Sequence, residues 1–171
     1  MSIGSTFLDS AISRLISYKD LAEKTFLQLA PEDFDYLPNE SSNSIALIIQ
    51  HMSGNMLSRW TNFLTEDGEK PWRDRDGEFE AHEYTREQLL EQWEKGWACF
   101  INALQELRED DLLKTIYIRK EGLTALDAIT RQIAHYSYHV GQIVFIGKLL
   151  KDADWKTLSI PKADSNRLTS K

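Results

Sequence analysis

One cysteine, Cys99, stands in 171 residues, so the chain forms no internal disulfide and carries no mark of an oxidising compartment. With only 8 Gly and 4 Pro it has too few chain breakers for a collagenous or low-complexity protein. Long apolar runs are missing too. The longest, Ile45 to Ile49, is far short of the roughly 20 residues a membrane-spanning helix needs, so no membrane partner is expected. Met1 to Asp9 places no basic residue ahead of an apolar stretch, which argues against a secretory leader and makes the cytoplasm the expected compartment. Basic charge is also in deficit. Lys and Arg number 20 against 27 Asp and Glu, and a net charge of -7 weighs against nucleic acid, whose binding rests on neutralised phosphates.

What is present is a 42% hydrophobic, 27% charged chain, enough for one folded core, and the expected organisation is a single domain over residues 1–171. Apolar residues recur at helical steps from about Ser5 to Leu29, from Asn43-Ser44 through Phe63, from Thr85 to Leu107, and from Thr124 to about Leu150. Thr85 with Gln88 and Thr124 with Asp127 have capping-box spacing. Thr115 to Ile118 alternates as a strand does and allows at most a small hairpin. The segment from Thr65 to Tyr84 is rich in turn chemistry, with Asp67-Gly68, Pro71 and Asp76-Gly77. A loop of that length can cross a helix of ~31 Å, so the second and third helices are free to run parallel. The expected fold is all-α, a four-helix bundle of up-down-down-up order with long connections between helices 2 and 3 and between helices 3 and 4. The tail after Trp155, with Pro161, is expected to be loosely held.

Three histidines stand out. His135 and His139, four residues apart, share a face of the fourth helix, and their apolar surroundings imply rings that point inward. His51 lies in similar surroundings on the second helix, one turn before Asn55. Three imidazoles from facing helices would leave coordination positions open, as catalytic metal sites do, whereas structural zinc sites close with four ligands. The alternative is that these are core histidines satisfied by hydrogen bonds with Asn55, Gln142 or backbone carbonyls. His82 in its acidic loop, Cys99, and the Trp93, Trp97 and Phe100 series read as a solvated residue and as core filling. No acid lies one turn from any of the three histidines, so no catalytic base is assignable. Asn55, Ser58 and Gln142 are the nearest polar candidates for substrate binding. Arg73 and Arg75 on the long loop are candidates to clamp a substrate carboxylate, against the alternative of a solvated loop.

The chain resembles the DinB/YfiT-like superfamily. The likeness rests on His51 with His135 and His139, and in an uncharacterised branch on Asn43-Ser44-Ile45-Ala46, Trp72 through Phe79, and Arg131 through Ile143. The resemblance implies four helices, a divalent nickel or zinc ion on His51, His135 and His139, and an enzyme acting on a small-molecule substrate. That enzyme would be either a transferase using a low-molecular-weight thiol or a hydrolase. The competing expectation is a non-catalytic metal- or ligand-binding stress-response protein. Metal affinity is expected to fall below the ~6.5 of free imidazole, because each ligand must lose its proton. Finally, Thr130, Ala134, Ser137 and Gly141 form a stripe of small residues away from the histidine face. It suits a homodimer contact or close packing against the first or third helix.

Overall fold

A computed structural model of the chain describes residues 2–159, and the tail that includes Pro161 lies outside the described residues. The chain is mostly helical, with four α-helices and one small sheet among the described residues. The first helix, α1, spans Ile3–Phe26 and starts at Ser2, which exchanges hydrogen bonds with Ser5. The second, α2, spans Ile45–Trp60, and the Ser44 hydroxyl accepts the Leu47 N–H at 3.2 Å. The third, α3, spans Arg86–Gln105 with the expected reciprocal cap of Thr85 and Gln88. The fourth, α4, spans Ala125–Lys151, where Thr124 accepts the Asp127 N–H.

The alternating run pairs after all. Strands β1 (Thr115–Ile118) and β2 (Glu121–Thr124) are antiparallel, with Thr115 opposite Thr124 and Ile118 opposite Glu121. The turn consists of Arg119 and Lys120 at φ 55° and 66°. Left-handed backbone costs about 1–2 kcal/mol per non-glycine residue, and such turns ordinarily select Asn-Gly. Here the Asp67 carboxylate offsets that cost, accepting the N–H groups of Arg119 at 2.9 Å and Lys120 at 2.8 Å. These hydrogen bonds, with a third from Glu69 N–H, hold its carboxyl below the usual carboxylate range.

Packing partners follow from where side chains shrink. A Cβ on Gly96 would lie 2.9 Å from the Ser53 Cα, so glycine lets α3 approach α2 closely. Along these helices residue numbers rise together: Ser53 Oγ donates to the Gln92 carbonyl at 2.8 Å, and the rings of Trp60 and Phe100 lie 4.3 Å apart. Between α1 and α3 they run oppositely, from Lys19 with Glu94 to Arg86, which donates to the Phe26 carbonyl. On α4 the close approach falls at Gly147, where a Cβ would meet Thr25 of α1. Trp93, Trp97 and Phe100 are buried core, edge-on or tilted to one another and to Tyr136.

The small-residue stripe behaves differently from the internal alternative. No atom lies within 4 Å of a Cβ built on Gly141, and Thr130 and Ala134 are exposed. The stripe therefore packs against neither α1 nor α3.

Candidate metal centre

The α2 helix buries most of its surface, so its polar residues need partners inside the molecule. The His51 Nε2 lies 3.3 Å from His135 Nε2, which lies 3.2 Å from His139 Nε2. His51 and His139 are buried and His135 is half-buried. Each Nδ1, on the far side of its ring, faces an acceptor: Glu78 Oε2 at 3.0 Å for His51, Gln132 Oε1 at 3.2 Å for His135, and Gln142 Oε1 at 2.9 Å for His139. A carboxylate can only accept, so His51 Nδ1 carries the proton and its Nε2 presents a lone pair. The glutamine carbonyl oxygens impose the same tautomer on the other two rings. Three lone pairs thus converge on one point, and the three-His group could hold a metal ion. Outer acceptors that fix ring and tautomer are the usual support of metal-ligating histidines.

The electrostatics agree with neutral rings. Burial first, then the neighbouring His139 and His51, holds His135 down to about 3. Burial, partly opposed by the Gln142 hydrogen bond, holds His139 to about 4. This corrects the expected pH profile, because these two ligands need lose no proton at pH 5 and proton competition at them starts well below 6.5.

Glu78 escaped the sequence reading. It sits 27 residues from His51 on the α2–α3 loop, and no helical period relates them. Burial would raise its carboxyl, but hydrogen bonds and charge from Arg73, with His51, outweigh burial and keep it ionised. Arg73 donates from Nε to Glu78 Oε1 at 2.6 Å and from Nη2 to Oε2 at 2.8 Å. Gly54 makes room, since a Cβ there would collide with the Glu78 carboxylate.

The remaining candidates divide by position. Asn55, Gln142, Arg73 and Arg75 line a cavity of about 600 Å³ in front of the three histidines. Asn55 also accepts the Tyr136 hydroxyl at 2.9 Å, and burial pushes that phenol up. Ser58 does not line the cavity. Its hydroxyl donates to the Gly68 carbonyl at 2.8 Å and accepts the Lys70 N–H at 3.0 Å, so it anchors the loop. Arg73 lines the cavity but spends its Nε and Nη2 donors on Glu78, which leaves Nη1 as its donor without a hydrogen-bond partner. His82 is exposed and approaches the Gly77 carbonyl, outside the cluster.

The fold and site define a mostly helical protein with a three-His group able to hold a metal ion. The chain belongs to the family described as Protein of unknown function (DUF1572), whose model matches residues 2–164. No curated protein and no solved structure matches the chain.

Glu78→Gln removes the ionic anchor of His51 and should weaken divalent-ion affinity about 10- to 100-fold in a chelator-competition titration. Wild-type affinity in the variant would show that the Nδ1 contact is irrelevant to binding. A second expectation concerns stability without metal. The unfolded chain binds protons on His135 and His139 below 6.5 while the folded chain refuses them down to about 3 and about 4 respectively. Stability therefore falls as pH drops from 6.5. Between pH 6.5 and 5, above the carboxylate range, the melting temperature of metal-free protein should decline, and His135→Asn/His139→Asn should flatten that decline.

Proposed function

We propose that the protein is a metal-dependent enzyme whose divalent ion, nickel or zinc, is held by His51, His135 and His139. The observation that carries this reading is the convergence of three Nε2 lone pairs whose Nδ1 partners are all acceptors. The donor set is all imidazole, which suits both metals, and three ligands leave room for a substrate atom. When bound, such an ion acts as a Lewis acid and lowers the pKa of a bound water or thiol. The chain's own residues do the rest. Glu78, Gln132 and Gln142 hold the rings in the ligating tautomer, while Asn55 offers a polar contact at the cavity wall. No residue is assigned as the catalytic base. The reaction is transfer to or from a low-molecular-weight thiol, or hydrolysis, on a small-molecule substrate, in keeping with the resemblance to the DinB/YfiT-like superfamily. The competing role is a non-catalytic metal- or ligand-binding stress-response protein, which the same cavity would serve without turnover.

The same reading takes residues 1–171 as one domain of up-down-down-up order, located in the cytoplasm. The order is supported by the parallel run of contacts between α2 and α3 and the reversed run between α1 and α3. We further propose a homodimer through the outward stripe at Gly141, supported by the open space there. Neither nucleic acid nor membrane is a partner in this reading, and no described helix is long and apolar enough to cross a membrane.

Protein purified without a polyhistidine tag should carry close to one divalent ion per chain, and His135→Ala and His139→Ala should each abolish it in elemental analysis. Ion content far below one per chain, not restored by added nickel or zinc, would remove the metal reading. Metal-loaded protein supplied with bacillithiol and an electrophilic chlorinated aromatic should form the thioether as the C–Cl bond breaks, releasing chloride and the thiol proton; no turnover with any thiol would leave only the hydrolytic branch. Gly141→Leu should convert dimer to monomer in light scattering with helicity unchanged, and a parent already monomeric at micromolar concentration would refute the dimer.

A further inference from the structure

The cavity before the three histidines has a charge that the chain as a whole does not. Five arginines line it, Arg59, Arg73, Arg75, Arg119 and Arg131, and no aspartate or glutamate lines it among the described residues. The groups come from four separate places: Arg59 from the end of α2, Arg73 and Arg75 from the α2–α3 loop, Arg119 from the hairpin turn, and Arg131 from α4.

Two carboxylates behind the wall hold three of these cations. Glu69 meets Arg59 Nη2 at 3.2 Å, Arg119 Nε at 3.0 Å and Arg73 Nη1 at 3.7 Å, while Glu78 takes the fork of Arg73. Two negative charges thus face five positive ones. Arg75 and Arg131 have no carboxylate within ion-pair distance among the described residues. Arg59 and Arg73 are buried, with side chains 8% and 2% exposed, and each keeps an Nη1 with no hydrogen-bond partner. Guanidinium groups fixed by salt bridges with donors left over are preorganised for a planar oxyanion, because the ordering cost is met before the ligand arrives.

We propose that this cavity selects small molecules bearing an oxyanion group, a carboxylate or phosphate, which the arginine wall grips while the reacting atom faces the histidines. The inference rests on the reading of this cavity as the active site, and it supplies that site's substrate class. The ring centroid of Phe79 lies 4.7 Å from that of His51, and that of Tyr138 lies 4.2 Å from that of His139, both pairs tilted. These rings offer apolar surface to the rest of the ligand, so the anionic end and the uncharged body have separate walls.

The test uses the full chain in metal-free form, so that anion binding is read apart from metal. Succinate and inorganic phosphate are titrated calorimetrically, with succinamide as the uncharged control. At least one anion should bind with a dissociation constant below a millimolar, weaken as ionic strength rises, and bind Arg75→Gln/Arg131→Gln at least tenfold more weakly. Those two side chains are chosen because they hold no internal salt bridge, and an unchanged melting temperature and metal stoichiometry in the variant certify its fold. Preference for succinate or for phosphate tells which oxyanion is read. Binding of neither, equal binding of succinamide, or undiminished binding by the variant would overturn the proposal. Anion binding without metal uptake would sink the metal reading and leave this one standing, whereas metal uptake without anion binding would do the reverse.

Discussion

Three imidazole nitrogens, with His135 Nε2 3.3 Å from that of His51 and 3.2 Å from that of His139, cannot all present lone pairs to one another at low energy unless something positive stands between them. The fold nevertheless enforces that convergence, because every ring is tethered from behind. Glu78, Gln132 and Gln142 each accept a Nδ1 proton, and this turns the three Nε2 atoms inward together. A helix pair and a loop must all be in register for this to hold. Two of the acceptors lie on α4 itself, three residues from the histidines they serve, and come with the helix. The third is brought from the loop, and a series of contacts along that loop positions it.

That series starts at the hairpin. Asp67 binds the strained Arg119-Lys120 turn, Ser58 ties Gly68 and Lys70 to α2, and Arg73 then meets Glu78 against the space left by Gly54. Buried ion pairs of this kind give little net stability, since desolvation cancels much of the attraction. Left-handed arginine and lysine lower stability further. An apolar core could be built without any of these features, and one has been built on the other side of Tyr136 from Trp93, Trp97 and Phe100. The polar chain is therefore better understood as the cost of holding a site than as a support of the fold.

The same division explains what could be read in the chain without coordinates. The four helices were legible because apolar spacing reports burial directly, and Thr85 with Gln88 marks a helix start through chemistry local to four residues. His51, His135 and His139 were legible as a group because their spacing and apolar context both said inward. Glu78 was not, because nothing local couples a loop glutamate to a histidine 27 residues earlier. A small hairpin was allowed but its second strand was not placed, for a related reason: its turn is Arg-Lys where a hairpin ordinarily shows Asn-Gly, and the compensating Asp67 lies more than 50 residues away. Ser58 was placed near the site by helical spacing, but its hydroxyl is spent on the loop. Misreadings cluster where a loop decides the outcome.

Charge illustrates the limit of whole-chain arithmetic. A net charge of -7 describes an acidic exterior, yet it says nothing about a concave site that gathers five of the 20 Lys and Arg residues. A cavity wall of low polarizability focuses the field of those five, whereas the acids, spread over the solvated helices, are screened within about 10 Å at ordinary salt. The interior of the cavity is thus positive within a negative protein. An anion therefore meets at that cavity a local attraction that the net charge of the chain does not foretell. The bare nitrogens of His135 and His139 have another first cause, burial, followed by the neighbouring imidazoles, and Arg59 and Arg131 add to it only at His135, so the arginine wall and the neutral histidines are largely separate results of enclosing one cavity.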